Sequence, residues 1–342
     1  MTYKVIKKLP SAEKIIENYP LSKTGYENIQ RDRREIQNIL SGADDRLLFI
    51  VGPCSAWPYD SVLEYAKLLQ EVNEQIKHKI KIVMRVYIQK PRTVKGWTGP
   101  VNQPDPLLPP DIERGINYAR SLMVKVVEMG LPIADEALFT HNARGFIELL
   151  SWVAIGARSS EDQEHRIFAS SIDFPVGMKN PTHGSLKIGV NGVVAAQHSH
   201  VAVFDGYEVE TAGNPFVHLV LRGGNKEPNY DIPFIEEAYK YLKEDNVKNP
   251  AIVVDVSHDN CLINGKKDYL SQGKIVLEIL DKLKSRPDLK PLVKGFMLES
   301  YIKEGNQNIE KVAEIDMNGL SITDPCLSWE HTKELLLKIA GI

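Results

Sequence analysis

The sequence predicts an α/β fold, a (β/α)8 barrel carrying an N-terminal extension and one inserted β-hairpin. Eight short apolar runs recur along the 342 residues, most of them rich in Val, Ile or Leu. A parallel strand buried on both faces reads as such a run. Helical patterns separate most of the runs, which implies repeated βαβ units. Charged and metal-binding residues fall repeatedly just past the carboxyl ends of the runs, where barrel enzymes place their chemistry.

In chain order, residues 1–45 read as the extension, with helices expected over 11–18 and 26–40, and the barrel occupies 46–342. The strand candidates are LLFIV before GPCS, IVMRVYIQ before KPRT, PIA before DEA, and WVAIGAR. They continue with PVGM before KN, then HLVLRGG, AIVVDVSH and GFMLES. Segment 61–77 places Val62, Tyr65, Ala66, Leu68, Leu69 and Val72 close to one helical face. Segments 112–129, 142–150, 232–243, 272–284 and 332–339 read the same way. Residues 198–211 (HSHVAVFDGYEVET) read as a β-hairpin turning at Asp205-Gly206, inserted between the fifth and sixth strands. Residues 90–111 hold six prolines and read as a long irregular loop. Loops of that length in a packed domain are usually functional.

Hydrophobic residues are 43% and charged residues 25%, with a net charge of −3. This is ordinary for a soluble globular protein. It argues against a general nucleic-acid binder, though a basic pocket fits inside a near-neutral total. No stretch approaches the ~20 apolar residues of a membrane span. The first residues are too polar for a signal peptide. Three cysteines, Cys54, Cys261 and Cys326, make no disulfide framework, so a cytoplasmic setting is expected.

Two constellations carry chemistry. Cys54, His258, Glu299 and Asp324 fall at or just after strand ends. A thiolate, an imidazole and two carboxylates suit a divalent first-row metal, whether manganese, iron, cobalt or zinc. Their dispersed spacing matches no structural zinc motif. The competing reading is a buried thiol, a loop histidine and solvated acids. Arg85, Lys90, Arg92, Arg158, Lys179 and Arg222 also lie on strands or just past them. Together at one barrel mouth they would repel each other unless anions bind, and arginine grips phosphate and carboxylate bidentately. Gly223-Gly224 after Arg222 is expected to let backbone amides approach an anion. The competing reading pairs these cations with acids around the rim.

With these residues in place, the sequence resembles 3-deoxy-D-arabino-heptulosonate 7-phosphate (DAHP) synthase of the bacterial class that responds to aromatic amino acids. The likeness runs from about residue 43 to 329 through GPCS, MRVYIQKPRT, GAR, GMKN, LRGG, KEPNY, DVSH, ESYIKEGNQ and SITD, in that order. The related synthase of 3-deoxy-manno-octulosonate 8-phosphate lacks the KPRT signature. The resemblance implies a (β/α)8 barrel with regulatory additions. It implies condensation of phosphoenolpyruvate with erythrose 4-phosphate and release of phosphate. It places the metal on Cys54, His258, Glu299 and Asp324. Arg158, Lys179 and Arg222 would hold the phosphate of phosphoenolpyruvate, with Arg85 and Lys90 near its carboxylate. Glu136 matches a site glutamate of that pocket, and Arg92 and Thr93 would receive the phosphosugar. Lys90 is the candidate proton donor to the developing alkoxide, and His258 or Glu136 the group that handles the proton of water. A homodimer or homotetramer is implied.

Departures from the family lie away from the phosphoenolpyruvate residues and border the aldehyde site. Ala56-Trp57-Pro58-Tyr59 replaces an IHDP-like segment, VKGWTG stands where TVGWKG is common, and 101–111 lacks a DNSF-like stretch. They leave a different aldehyde open, such as arabinose 5-phosphate or a modified tetrose. A non-catalytic paralogue is disfavoured by retention of every metal and phosphate position. Asp173 stands where the family usually has a serine lining the inhibitor pocket, so a carboxylate would meet an amino-acid carboxylate there. Cys326, two residues after Asp324, is expected to lie near Cys54 and to be oxidisable with it.

Overall fold

The computed structural model describes residues 2–92, 96–138, 144–310 and 314–342. Eight parallel strands close into a barrel. They are β1 (Leu47–Gly52), β2 (Ile80–Arg85), β3 (Ile133–Ala137), β4 (Trp152–Ile155), β5 (Val176–Lys179), β8 (Val217–Leu221), β9 (Ile252–Asp255) and β12 (Val293–Glu299). They neighbour one another in chain order, and β12 returns to β1 with Gly52 opposite Glu299. Every expected apolar run is one of these strands. The inserted hairpin also forms, as β6 (Val201–Phe204) and β7 (Tyr207–Glu210), turning at Asp205-Gly206. A second small hairpin, β10 (Leu262–Ile263) with β11 (Lys266–Lys267), follows β9 and was not legible as a periodic pattern.

The helices start where capping side chains permit. Ser11 caps α1 (Ala12–Asn18), Ser22 caps α2 (Lys23–Ser41), and Gly42 ends α2 in the left-handed conformation. The ring continues with α3 (Tyr59–Ile76), α4 (Ile112–Glu128), α5 (Gln163–Ser171) and α6 (Leu186–Gln197). It closes with α7 (Ile232–Glu244), α8 (Ser271–Lys284) and α9 (Trp329–Ala340). The pattern reading omitted α5, which is short, and α6, whose LKIGVNGVVAAQ is apolar almost all round. The helix expected over 142–150 is not formed by the described residues, which contain a single 3-10 turn at Ile147–Leu149. Gly145 at φ +91° breaks the helical path there.

Two apolar layers hold the barrel. The outer one lies between strands and helices. The inner one stacks Leu48, Ile50, Val83, Ala134, Trp152, Val220, Val253 and Met297, and Ile36, Ile39 and Leu40 of α2 pack into it. The amphipathic α2 therefore stoppers the barrel end opposite the site. Among the described residues, no helix is long and apolar enough to cross a membrane.

Candidate active site

Residues that can do chemistry lie at or near the carboxyl ends of the barrel strands, and the loops that carry them are tied down by side-chain hydrogen bonds. Asn180, just past β5, accepts from Arg222 N–H at 2.9 Å and donates to the Gly223 carbonyl at 2.8 Å. Asn229 donates to Asn180 Oδ1 at 3.1 Å, and Asn260 accepts from Asn229 N–H at 2.7 Å. Three buried asparagines thus staple the ends of β5, β8 and β9 together. Gln272 of α8 brackets Glu299 by accepting from its N–H at 2.9 Å and donating to its carbonyl at 3.2 Å. Ser55 and Thr323 share a 3.0 Å hydrogen bond, which ties the GPCS turn to the SITD turn.

A cavity of about 510 Å³ opens at this mouth. Lys90, Arg92, Arg158, Lys179, Arg222 and Lys267 supply its cations. Glu136, Asp259, Asp324, Cys54 and His258 supply the acids and soft ligands. One site does collect residues spread from position 54 to 324. Thr93 lies outside the described residues. Arg85 and Glu299 sit beneath the cavity, fully buried and paired at 3.2 Å. Arg85 lies 4.0 Å from the centre of the Tyr87 ring, and its Nη1 has no hydrogen-bond partner. Glu136 reaches over Gly156, where a Cβ would stand 1.8 Å from its carboxylate, so the glycine of GAR is what admits that side chain.

Ligand atoms of Cys54, Glu299 and Asp324 lie within 4.8 Å of one another. His258 joins from the side, with Nε2 3.9 Å from Glu299. Its Nδ1 is 2.9 Å from Asp255, which favours the tautomer protonated there and turns the Nε2 lone pair toward the acids. That arrangement suits a metal ligand. Burial lowers the His258 pKa, so the ring stays neutral as ligation requires. Burial, with Glu299 beside it, pushes the Cys54 thiol up, and a bound cation would reverse that. Burial works against the Asp324 carboxylate, but the Lys267 ammonium paired with it outweighs that and holds its pKa well below the usual range. The donor set and its spacing therefore fit a divalent metal.

The cations are partly compensated. Lys179 pairs with Asp255 at 3.0 Å and Arg222 with Asp259 at 2.8 Å. The rim-pairing reading is thus correct for these two, while both still face the cavity. Lys90 donates to the Cys54 carbonyl at 2.7 Å. Burial disfavours its ammonium, yet Cys54 and Glu299 outweigh that and keep its pKa above the ordinary lysine value. One expectation fails. Gly223 N–H donates to Asn229 Oδ1 at 2.7 Å and Gly224 N–H to the Glu227 carbonyl at 2.9 Å, so neither amide points at an anion. These glycines exist for packing, because a Cβ on Gly224 would stand 2.1 Å from Gly184 Cα.

Asp255, Asp259 and Lys267 were missed in the sequence. Asp255 lay in plain view in DVSH, three residues before His258. Lys267 had no signal, since it sits on a two-residue strand rather than at a barrel strand end.

Residues 21–337 match the model of the DAHP synthetase I family. The chain belongs to that family. It is 38% identical over 336 residues to the Tyr-sensitive phospho-2-dehydro-3-deoxyheptonate aldolase of Salmonella typhimurium, covering 97% of this chain and 92% of that one. It is 37% identical over 341 residues to the Trp-sensitive enzyme of Escherichia coli K12, covering 98% and 95%. The structure of phospho-2-dehydro-3-deoxyheptonate aldolase from Francisella tularensis superposes with a TM-score of 0.92 at 35% identity, covering 99% of this chain and 98% of that one.

Among the described residues, Trp57, Trp97, Gln103 and Pro104 form one packed block. Trp57 and Trp97 meet edge to face at 6.5 Å, and Trp57 Nε1 donates to the Pro104 carbonyl at 3.1 Å. Trp97 Nε1 donates to the Gln103 carbonyl at 2.7 Å, and Lys90 N–H to the Thr98 carbonyl at 3.0 Å. Among the described residues, none of 56–59 or 96–111 lines the 510 Å³ cavity.

Proposed function

We propose that this protein is a metal-dependent DAHP synthase, condensing phosphoenolpyruvate with erythrose 4-phosphate and water to give DAHP and phosphate, the first step of the shikimate pathway. The observation that carries this is one cavity lined by six cations beside a Cys–His–Glu–Asp set, in a chain of this family. Cys54, His258, Glu299 and Asp324 would hold the metal, which supplies Lewis-acid polarisation of the aldehyde when bound.

The side chains divide the remaining work. Arg158, Lys179 and Arg222 bind the phosphate of phosphoenolpyruvate, and Lys90 with the open Nη1 of Arg85 addresses its carboxylate. Arg92, with Thr93, takes the phosphate of the sugar. Held so, C3 attacks the aldehyde carbon, the C–C bond forms, and Lys90 gives its proton to the alkoxide. Positive character left at C2 is quenched by water. Glu136 takes the water's proton, because His258 is engaged at Nδ1 by Asp255 and turns Nε2 to the metal set. The hemiketal phosphate then loses phosphate by C–O cleavage, stabilised by the two arginines and the lysine. The setting is cytoplasmic, the assembly a homodimer or homotetramer, and residues 1–45 an extension of the barrel.

The test is phosphate release and loss of phosphoenolpyruvate by chelator-stripped protein with erythrose 4-phosphate, with and without manganese. Manganese-dependent formation of DAHP is expected. Phosphoenolpyruvate binding without turnover would instead direct attention to another aldehyde.

A further inference from the structure

Lys267 is placed where a metal site does not ordinarily need a lysine. The β10–β11 hairpin begins one residue past the turn that carries His258, reverses at Asn264-Gly265, and returns Lys267 into the cavity. The hairpin is locked by Asp268 N–H donating to the Cys261 carbonyl at 2.8 Å. Lys267 Nζ donates to Asp324 Oδ2, and its side chain is only 29% exposed. Asp324 is itself within 4.8 Å of the Cys54 and Glu299 ligand atoms. The ammonium thus stands against the anionic cluster that would hold the metal. None of the steps proposed above uses it.

We infer that Lys267 is a resident counter-cation that competes with the divalent metal for Asp324 and so sets the metal affinity of the site. Like charges a few ångströms apart in a partly buried setting repel strongly. The Glu299 and Asp324 carboxylates without a cation would also repel one another. Lys267 therefore stabilises the metal-free site and weakens the metal-loaded one. Metal uptake becomes an exchange of one cation for another. The hairpin couples this exchange to His258, because both residues sit on one short, hydrogen-bonded excursion from β9. This inference rests on the metal ligands proposed above.

The experiment titrates chelator-stripped protein with manganese and reads free Mn²⁺ by electron paramagnetic resonance, a signal independent of turnover. Lys267→Met is expected to bind Mn²⁺ at least about tenfold more tightly than the unaltered protein. Lys267→Arg, which keeps the charge, is expected to stay close to it. The melting temperature of stripped Lys267→Met should fall, and its gain on manganese binding should grow. Lys267→Gln, which keeps a donor without the charge, is read in parallel in case the methionine variant does not fold. Equal or weaker Mn²⁺ binding by the uncharged variants overturns the inference and leaves Lys267 as a prop for Asp324. Failure of the unaltered protein to bind Mn²⁺, or binding that Cys54→Ser leaves intact, overturns the metal-site reading and this inference with it.

Discussion

Replacing Asp135 by Asn should stabilise the protein by an amount that grows with pH. Asp135 lies on β3, 7% exposed, and accepts the Ile88 N–H at 3.2 Å. Burial, with the neighbouring Glu136 adding to it, pushes its pKa from 3.8 to about 8, against the opposing effect of two backbone N–H groups and Lys90. Between those values the native state keeps a proton that the unfolded chain releases. The contribution of Asp135 to stability is therefore complete below pH 3.8 and is lost as pH rises through about 8. At about 1.4 kcal/mol per pH unit, the loss reaches at most about 4 kcal/mol at pH 7. Asparagine has the same shape, keeps an oxygen for Ile88 N–H, and carries no charge at any pH. Urea unfolding of both proteins from pH 5 to 8.5 measures the gap. The gap should widen steadily with pH and level off above about pH 8. A gap independent of pH, or a variant less stable at neutral pH, would refute the reasoning. Activity should persist, because Asp135 does not line the cavity and the Ile88 anchor of the Lys90 segment survives.

Three further outcomes are expected. Lys90→Ala should lower kcat about 10²–10⁴-fold in a steady-state assay, as loss of a positioned acid does; retention of most activity would remove Lys90 from that role. Phe, Tyr and Trp should inhibit weakly or not at all, because in a cavity of about 590 Å³ the Asp173 carboxylate stands 3.8 Å from Arg33 and Asp205 pairs with Arg144 at 3.1 Å, so acids already engage the cations that an amino-acid carboxylate would need. Micromolar inhibition by any of the three would contradict this, and Asp173→Ser is the variant expected to gain sensitivity. Cys54 and Cys326 are both buried, and Cys326 packs against the Cys54 backbone, so metal-catalysed oxidation should remove two free thiols together while Cys261 persists; a count of three thiols after oxidation would dispose of the pairing.

The sequence by itself determined the barrel and most of its mouth. Strands such as Ile252–Asp255 and Val217–Leu221 are buried on both faces, so apolar runs marked them, and the residue just past each run had to face the mouth. Cys54, Lys90, Glu136, Arg158, Lys179, Arg222 and His258 were legible for that reason, and they line one cavity; Asp324 lines it too, but from the long loop after Val293–Glu299 rather than from a strand end, so the family resemblance and not the strand pattern marked it. Tertiary structure alone decided which cations are compensated, because Lys179–Asp255 spans from β5 past β8 to β9, and Arg222–Asp259 joins the neighbouring ends of β8 and β9, partners 76 and 37 residues apart in the chain. It decided that the Gly223 and Gly224 amides are occupied, since only the folded loop brings Asn229 and Glu227 back to them. It brought Lys267 to Asp324 through a two-residue strand too short to have a period. It also showed that Trp57, Trp97 and Pro104 form one block, a relation between distant substitutions that spacing cannot express. Periodicity records which face a residue turns to the core, whereas pairing between loops depends on where closure of the barrel puts their ends.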